Sequence, residues 1–467
     1  MSAPRAIAVV GGGVTGLAAA WRLAAGGRHH VRLFEASTVA GGSVRTECVS
    51  GWLVEGGPNS LQEGGAVSTA LLQELGLEGE RIEASPRARH RYVVRKGRLV
   101  PVPMSPPALL ASPLFSFGAK LRVLRELLTG PKQRAADTSV ADFARQHFGR
   151  EIADTLVQPF VSGIYAGDPE RLSVREGFPL LWELERTHGS LLRGQRKAAQ
   201  ARRARGEPAA PTLISFRKGL QSLPEAMAAR LAPGTIAAPA VVEALRPGAE
   251  RRWKIDWAAG GQGRSEEFDA VILALPAWAL ARLPIGGAGP EAPRPLAALE
   301  AIAHPPVATL FLGYSRKQVT HPLDGFGVLI PASEKRRVLG VLFSSTLFDG
   351  RAPDGHVALT VLTGGVLQPE AAAGTAADQL ALVRDDLRDL LGVRGDPVFM
   401  RHRLWPRAIP QYELGFERHR LLMTACENEH RGLTIGGAAR DGIAVGRCIE
   451  SGFALARRAT GQAEAGA

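Results

Sequence analysis

Three glycines, Gly11, Gly13 and Gly16, follow directly on the apolar run Ala6-Ile-Ala-Val-Val10, and Glu35 closes a second such run, Val31-Arg-Leu-Phe34. Residues in this order can cradle a dinucleotide. Gly11 permits a tight turn, Gly13 lets the backbone approach a pyrophosphate, and Gly16 allows a helix to pack closely on the preceding strand. Val14 and Thr15 open that helix, whose free N–H groups and positive dipole end suit phosphate. Glu35 is placed to accept hydrogen bonds from ribose hydroxyls. Just beyond it lie Ala36 and a second double-glycine turn, Gly41-Gly42-Ser43, with Arg45 available to a phosphate.

The elements that must hold these residues form a βαβ unit: strand 6–10, an Ala/Leu helix over Leu17 to Ala25 ended near Gly26-Gly27, and strand 31–34. Near the other end, Gly432-Leu-Thr-Ile-Gly436-Gly437 reads as a strand and glycine turn. Asp441-Gly-Ile443-Ala444-Val445-Gly446 follows, leading into a helix through Ile449, Phe453 and Leu455. Asp269 to Pro276 reads as one more buried strand. Nucleotide-binding pieces thus come from separated segments, which predicts interleaved domains. Val307–Gly313, Gly325–Pro331, Val338–Ser344 and His356–Leu362 suggest the strands of an antiparallel sheet. Ser139 caps a helix that Gly149 ends, and Pro106 to Phe117 is strongly apolar.

Composition narrows the class. The chain has 467 residues, enough for two or three domains, with a net charge of +12. That charge favours anionic partners. Six basic residues and no acid lie between Arg193 and Arg205. No aromatic interleaves them as base stacking would favour, which argues against nucleic acid. A flexible, solvated loop is expected over 197–211, or a weak contact with anionic lipid. Three separated cysteines make no disulfide framework, and the histidines have no metal-ligand spacing. Met1 leads almost at once into a strand, leaving no room for a signal peptide. No apolar run approaches the roughly 20 residues of a membrane span. The expected location is cytoplasmic, or peripheral on the inner face of the cell membrane.

The Gly41-Gly42 turn resembles the glycine pair of the amine-oxidase-like flavoproteins, which bind FAD. Most of the chain further resembles the oxygen-dependent protoporphyrinogen oxidases. The resemblance rests on Glu55-Gly-Gly57-Pro58-Asn59-Ser60, His90-Arg91-Tyr-Val93, Gln158-Pro-Phe-Val-Ser-Gly163-Ile-Tyr-Ala-Gly-Asp168, Gly325-Phe-Gly-Val-Leu329-Ile-Pro331, Gly340-Val-Leu342-Phe-Ser-Ser345 and Trp405-Pro-Arg-Ala-Ile-Pro-Gln-Tyr412. It implies an α/β fold in three parts. A Rossmann-like FAD-binding domain (1–90, 211–285, 420–467) would interleave with a mixed-sheet substrate domain (91–104, 286–419). A helical, membrane-facing domain would occupy 105–200.

By the same resemblance, one non-covalent FAD would contact Gly57, Pro58, Asn59, Ser60, Trp405, Gly437, Ile443, Ala444 and Val445 besides the glycine turns, with the Val242 backbone facing adenine. Arg91 would pair with a propionate of the porphyrinogen substrate, as a guanidinium holds a carboxylate by two parallel hydrogen bonds. Leu329 and Leu342 would grip the ring, and Gly163 would face it. Leu362 stands where some members carry Phe. Hydride would pass to flavin N5 and then to O2, giving peroxide, with no protein acid or base assigned. Coproporphyrinogen III oxidation, an amine oxidase or carotenoid desaturase, and a non-catalytic FAD protein stay open, as do a membrane contact and a homodimer.

Overall fold

The computed structural model describes residues 4–64, 67–206 and 212–461. Its centre is a five-stranded parallel sheet in the order Ile236–Ala237, His30–Phe34, Ala6–Val10, Ala270–Leu273, Leu433–Ile435. Parallel strands are covered on both faces and therefore read as continuous apolar runs. Ile7 and Val9 pack toward the helices Val14–Ala24 and Val445–Ala459. Ala8 and Val10 pack on the opposite side, where Phe34 meets Trp257 and Phe268. The two helices touch closely, because a Cβ on Gly452 would lie 2.4 Å from the Thr15 carbonyl oxygen.

A seven-stranded mixed sheet runs Phe399–Trp405, Val307–Ser315, His356–Gly364, Val338–Leu342, Gly325–Leu329, His90–Arg95, Arg98–Pro101. Only Gly325–Leu329 and His90–Arg95 pair in parallel. One face carries Leu310, Leu312, Leu359 and Val361, which bury Val383, Leu387 and Leu391 of the helix Ala376–Leu391. That helix covers the outside and leaves the opposite face to the part built on the parallel sheet. The boundary between the two is not clean at residue 90. Trp52, on the hairpin Thr46–Val49/Trp52–Glu55, stacks on Phe399 at 5.2 Å and so belongs to the core of the mixed sheet.

The third part is helical. Ser139 Oγ accepts from Asp142 N at 3.1 Å, capping Val140–Phe148, and Gly149 ends it at φ 84°. The basic stretch is not the expected loop. Leu191–Ala204 is a helix, capped by Ser190; residues 207–211 of that expectation lie outside the described residues. Its Ala, Arg, Gln and Leu content is that of a strong helix former. Leu191 and Gly194 are buried, and a Cβ on Gly194 would meet Leu184 at 2.7 Å. The Pro106–Phe117 stretch divides: Leu114 and Phe115 are buried, whereas Phe117 is 82% exposed. Among the described residues no helix is long and apolar enough to cross a membrane.

A buried polar cluster ties this part together. His147 lies between Glu126 (Nδ1, 3.3 Å) and Glu185 (Nε2, 3.0 Å). Ser190 Oγ donates to Glu126 and Arg134 Nε donates to Glu185. Burial alone would raise both carboxyls, but the His147, Ser190 and Leu191 donors outweigh it at Glu126, and Arg134 with His147 at Glu185. Both therefore sit below the ordinary carboxylate value. Such groups add stability above their unfolded pKa and lose it as pH falls through the folded one. Protection factors in Val140–Phe148 and Pro179–His188, taken relative to the intrinsic exchange rate at each pH, should be flat near neutrality and fall below about pH 4. Constant protection down to about pH 3 would show that the cluster contributes nothing.

Candidate active site

Gly11 adopts φ 104° and its N–H donates to the Phe34 carbonyl at 2.8 Å, turning the chain out of the first strand. At Gly16 a Cβ would lie 1.8 Å from the Gly11 carbonyl oxygen, so helix and strand touch backbone to backbone. Gly13 differs: it is extended (φ −69°, ψ 179°), and a Cβ there would find only Gly42 Cα, at 4.0 Å. No side chain caps the helix at Gly13 among the described residues. Its first N–H groups, with Val14 and Thr15 buried behind them, open onto this gap.

Glu35 is held by its own surroundings. Gly12 N donates to Oε2 and Ser37 N to Oε1, each at 2.7 Å, and Ser37 Oγ donates to Oε1 as well, so the further acceptor capacity lies on Oε2. Exposed Ala36 follows it. The Glu35 backbone pairs with Ala237 and Ala240, which brings half-buried Val242 into the neighbourhood. Gly41 N donates to Gly12 O at 2.7 Å, laying the second glycine turn on the first. Gly57 packs on Ser43, where a Cβ would be 2.1 Å from the carbonyl oxygen. Trp405 Nε1 donates to Gly56 O at 2.7 Å. Gly437 closes on Thr15 and donates to Asp441 and Ser451. The helix from Val445 starts beyond Ile443 at exposed Ala444, again without a side-chain cap. Pro58, Asn59 and Ser60, all half-buried, lead from Gly57 into the strand Leu61–Glu63.

Sequence reasoning missed two residues here. Arg403 lies on the same strand face as Trp405, two positions away, and its guanidinium stacks on that indole at 5.5 Å. Its Nε would be 2.6 Å from a Cβ on Gly56. Burial, and then Arg403, lower the Arg45 pKa against the pull of Glu35. Two like charges at a glycine turn suit an anionic group. The strand's alternation could have revealed Arg403. The second is Tyr412, whose buried hydroxyl donates to Ala438 O (2.6 Å) and accepts from Gly442 N (2.9 Å). An aromatic thus does reach the closing glycine segment, from a distant part of the chain.

Across the mixed sheet, register decides what faces inward. Leu329 and Leu362 both pair with Gly340, while Leu342 pairs with Gly327, which pairs with Arg91. Partners side by side share a face, so Arg91, Leu329, Leu342 and Leu362 project together. The leucines are half-buried and Arg91 is exposed, 5.7 Å from the Phe326 ring. Thr309 and Arg403 continue the row at Leu362. Gly163, on the helix Gln158–Tyr165, sits over Leu329, whose Cδ2 would be 2.8 Å from a Cβ. The helix therefore packs on an apolar face of the sheet, and across that face the Trp405 strand, beside the glycine turns, and Arg91 stand roughly five strand spacings, or about 24 Å, apart. No group of three or more metal-ligating side chains occurs among the described residues.

Residues 14–460 match the family of flavin containing amine oxidoreductases. The chain is 32% identical to protoporphyrinogen oxidase 2 of Arabidopsis thaliana, over 96% of its length and 92% of the relative's. It is 34% identical to human protoporphyrinogen oxidase, over 96% and 97%. This chain belongs to the protoporphyrinogen oxidase family. A crystal structure of an Exiguobacterium protein named for the same activity, 22% identical, superimposes with a TM-score of 0.81 over 98% of each chain, and shows the same fold. As in the rest of the family, the chain is an oxidoreductase and its cofactor is FAD. The residues present fit that group. An open face at Gly13, two uncapped helix N-termini, the Glu35 acceptors and the Arg45/Arg403 charge are the features a dinucleotide flavin requires.

Proposed function

We propose that this chain oxidises protoporphyrinogen IX to protoporphyrin IX, with three O2 reduced to three H2O2 as six electrons leave the substrate. The observation that carries this reading is the shared face of Arg91, Leu329, Leu342 and Leu362 beneath Gly163. An apolar slot with a guanidinium at its far side suits a flat macrocycle bearing carboxylates. FAD supplies the hydride acceptor. The protein's share is to clamp the ring, orient it through Arg91 and exclude water. No side chain is needed as a strong base, because each loss of hydride is drawn forward by conjugation. The exposed Phe117, Leu128 and Leu180 of the helical part would give a membrane contact, and the substrate an apolar route to the slot.

The test is porphyrin fluorescence from FAD-loaded protein given protoporphyrinogen IX and coproporphyrinogen III in parallel, with peroxide measured. A gain with the first and little with the second supports the proposal. The reverse order moves the chain to the coproporphyrin route, and failure with both sends the search to amines or polyenes. Arg91→Ala should raise KM about tenfold with little change in kcat, as lost uniform binding requires. Arg91→Lys should recover only part of this, since an ammonium lacks the paired donors. An unchanged KM would remove Arg91 from the site.

A further inference from the structure

A small cavity lies where the nucleotide domain meets the inner face of the mixed sheet. Leu53, Phe311 and Leu347 form its apolar walls, and Asn59, Ser344, Thr360, Glu55 and Arg351 its polar ones. Its position is set by two neighbours already described. Asn59 follows Gly57, which rests on the Gly41-Gly42-Ser43 turn. Thr360 pairs in register with Leu342 and shares its face. Ser344 and Thr360 hydrogen-bond to each other at 2.8 Å.

Arg351 is 2% exposed. Its Nη2 donates to Ser215 Oγ at 2.8 Å and to Phe216 O at 3.1 Å, and its guanidinium lies 5.4 Å from the Phe348 ring. Glu55 is 3.8 Å away, itself held by Thr46 Oγ1 and Leu220 N. Arg351 Nη1 has no partner among the described residues. A buried cationic N–H is costly to leave unused. Together with the cavity, it calls for an occupant of two or three atoms.

We propose that the cavity holds dioxygen during flavin reoxidation and that Arg351 Nη1 stabilises the negative charge dioxygen acquires there. This rests on the reading of the chain as a flavin oxidase. Glu55 faces Arg351 at 3.8 Å, with its carboxyl pushed above the ordinary value by burial, and the apolar walls admit a neutral diatomic. Dioxygen then takes two electrons and a proton from the reduced flavin anion and a second proton from solvent: FADH⁻ + O2 + H⁺ gives FAD + H2O2. The charge that builds on oxygen lies beside a fixed, buried guanidinium, where such stabilisation is strongest.

The experiment uses the FAD-loaded full chain, photoreduced anaerobically with EDTA as electron donor so that no porphyrinogen is needed, then mixed with O2 in a stopped flow. Arg351→Met should slow reoxidation roughly tenfold to a hundredfold, and Arg351→Lys should recover most of the loss. Leu347→Phe, which narrows the cavity and keeps the charge, should slow it too. Crystals of the holoprotein under xenon should show a peak in this cavity that Leu347→Phe removes. If Arg351→Met fails to fold or retain FAD, Leu347→Phe and xenon still decide. Unchanged reoxidation in the folded, FAD-loaded variants, or no xenon peak because the cavity holds only water, overturns the proposal. Anaerobic flavin bleaching by protoporphyrinogen is measured separately. Its failure beside normal, Arg351-dependent reoxidation sinks the substrate reading and leaves the dioxygen site standing.

Discussion

Gly13→Ala should leave the apo chain folded and abolish FAD retention, whereas Gly16→Ala should cost the fold itself. The two glycines belong to one motif yet do different work. At Gly13 the backbone is extended, a conformation alanine adopts freely, and a Cβ would have no neighbour closer than 4.0 Å. The methyl would fill only the space in front of the uncapped helix. Apo stability should change by less than about 1 kcal/mol, while FAD affinity falls at least a hundredfold, about 3 kcal/mol. At Gly16 the methyl would meet the Gly11 carbonyl at 1.8 Å. That carbonyl cannot retreat, because the Gly11 turn is tied to Phe34 and the helix is wedged from behind by Gly452. A loss of about 3 kcal/mol or more is expected, well above an ordinary surface change. Denaturant melts of the apo chains, with flavin fluorescence of the reconstituted ones, separate the two. Equal behaviour would mean that the motif acts only through packing.

Gly163→Ala should lower kcat/KM for the porphyrinogen about tenfold while FAD content and melting temperature hold. The reason is the 2.8 Å approach of Leu329 Cδ2 to the missing Cβ. A leucine end can rotate away, so the fold survives, but the space it moves into is the slot. Removing the displaced side chain should relieve the effect. Gly163→Ala should therefore cost much less in a Leu329→Ala background, with a coupling energy of about 1 kcal/mol or more across the double-mutant cycle. Additive losses would show that Gly163 and Leu329 do not share the substrate slot.

What could be read without the structure was mostly local. The strand–glycine–helix order at residues 6–16, the Ser139 cap and the Gly149 stop are decisions made within a few residues, by backbone sterics and capping hydrogen bonds. The four inner strands Val307–Ser315, Gly325–Leu329, Val338–Leu342 and His356–Gly364 were legible as short apolar runs, and side chains two apart on each lie on one face. The same parity places Leu329, Leu342 and Leu362 on a common face once the strands pair. Leu191–Ala204 was locally legible as well. Its Ala, Leu and Arg favour helix, and its density of charge does not prevent one.

The rest depended on which distant segments meet. Arg403 lies near Arg45, Tyr412 joins Ala438 to Gly442, and Arg351 lies between Glu55, Ser215 and Phe216. Nothing around Arg351 in the chain distinguishes it from the solvated arginines nearby. Its burial follows from how the hairpin ending at Glu55, the strand ending at Phe216 and the sheet edge pack together. Sequence by itself therefore determined the flavin-type nucleotide unit and the strands of the mixed sheet, because both are written in short-range geometry. Tertiary structure alone decided the contents of the interface between them, because burial and pairing there are set by the joint packing of segments hundreds of residues apart.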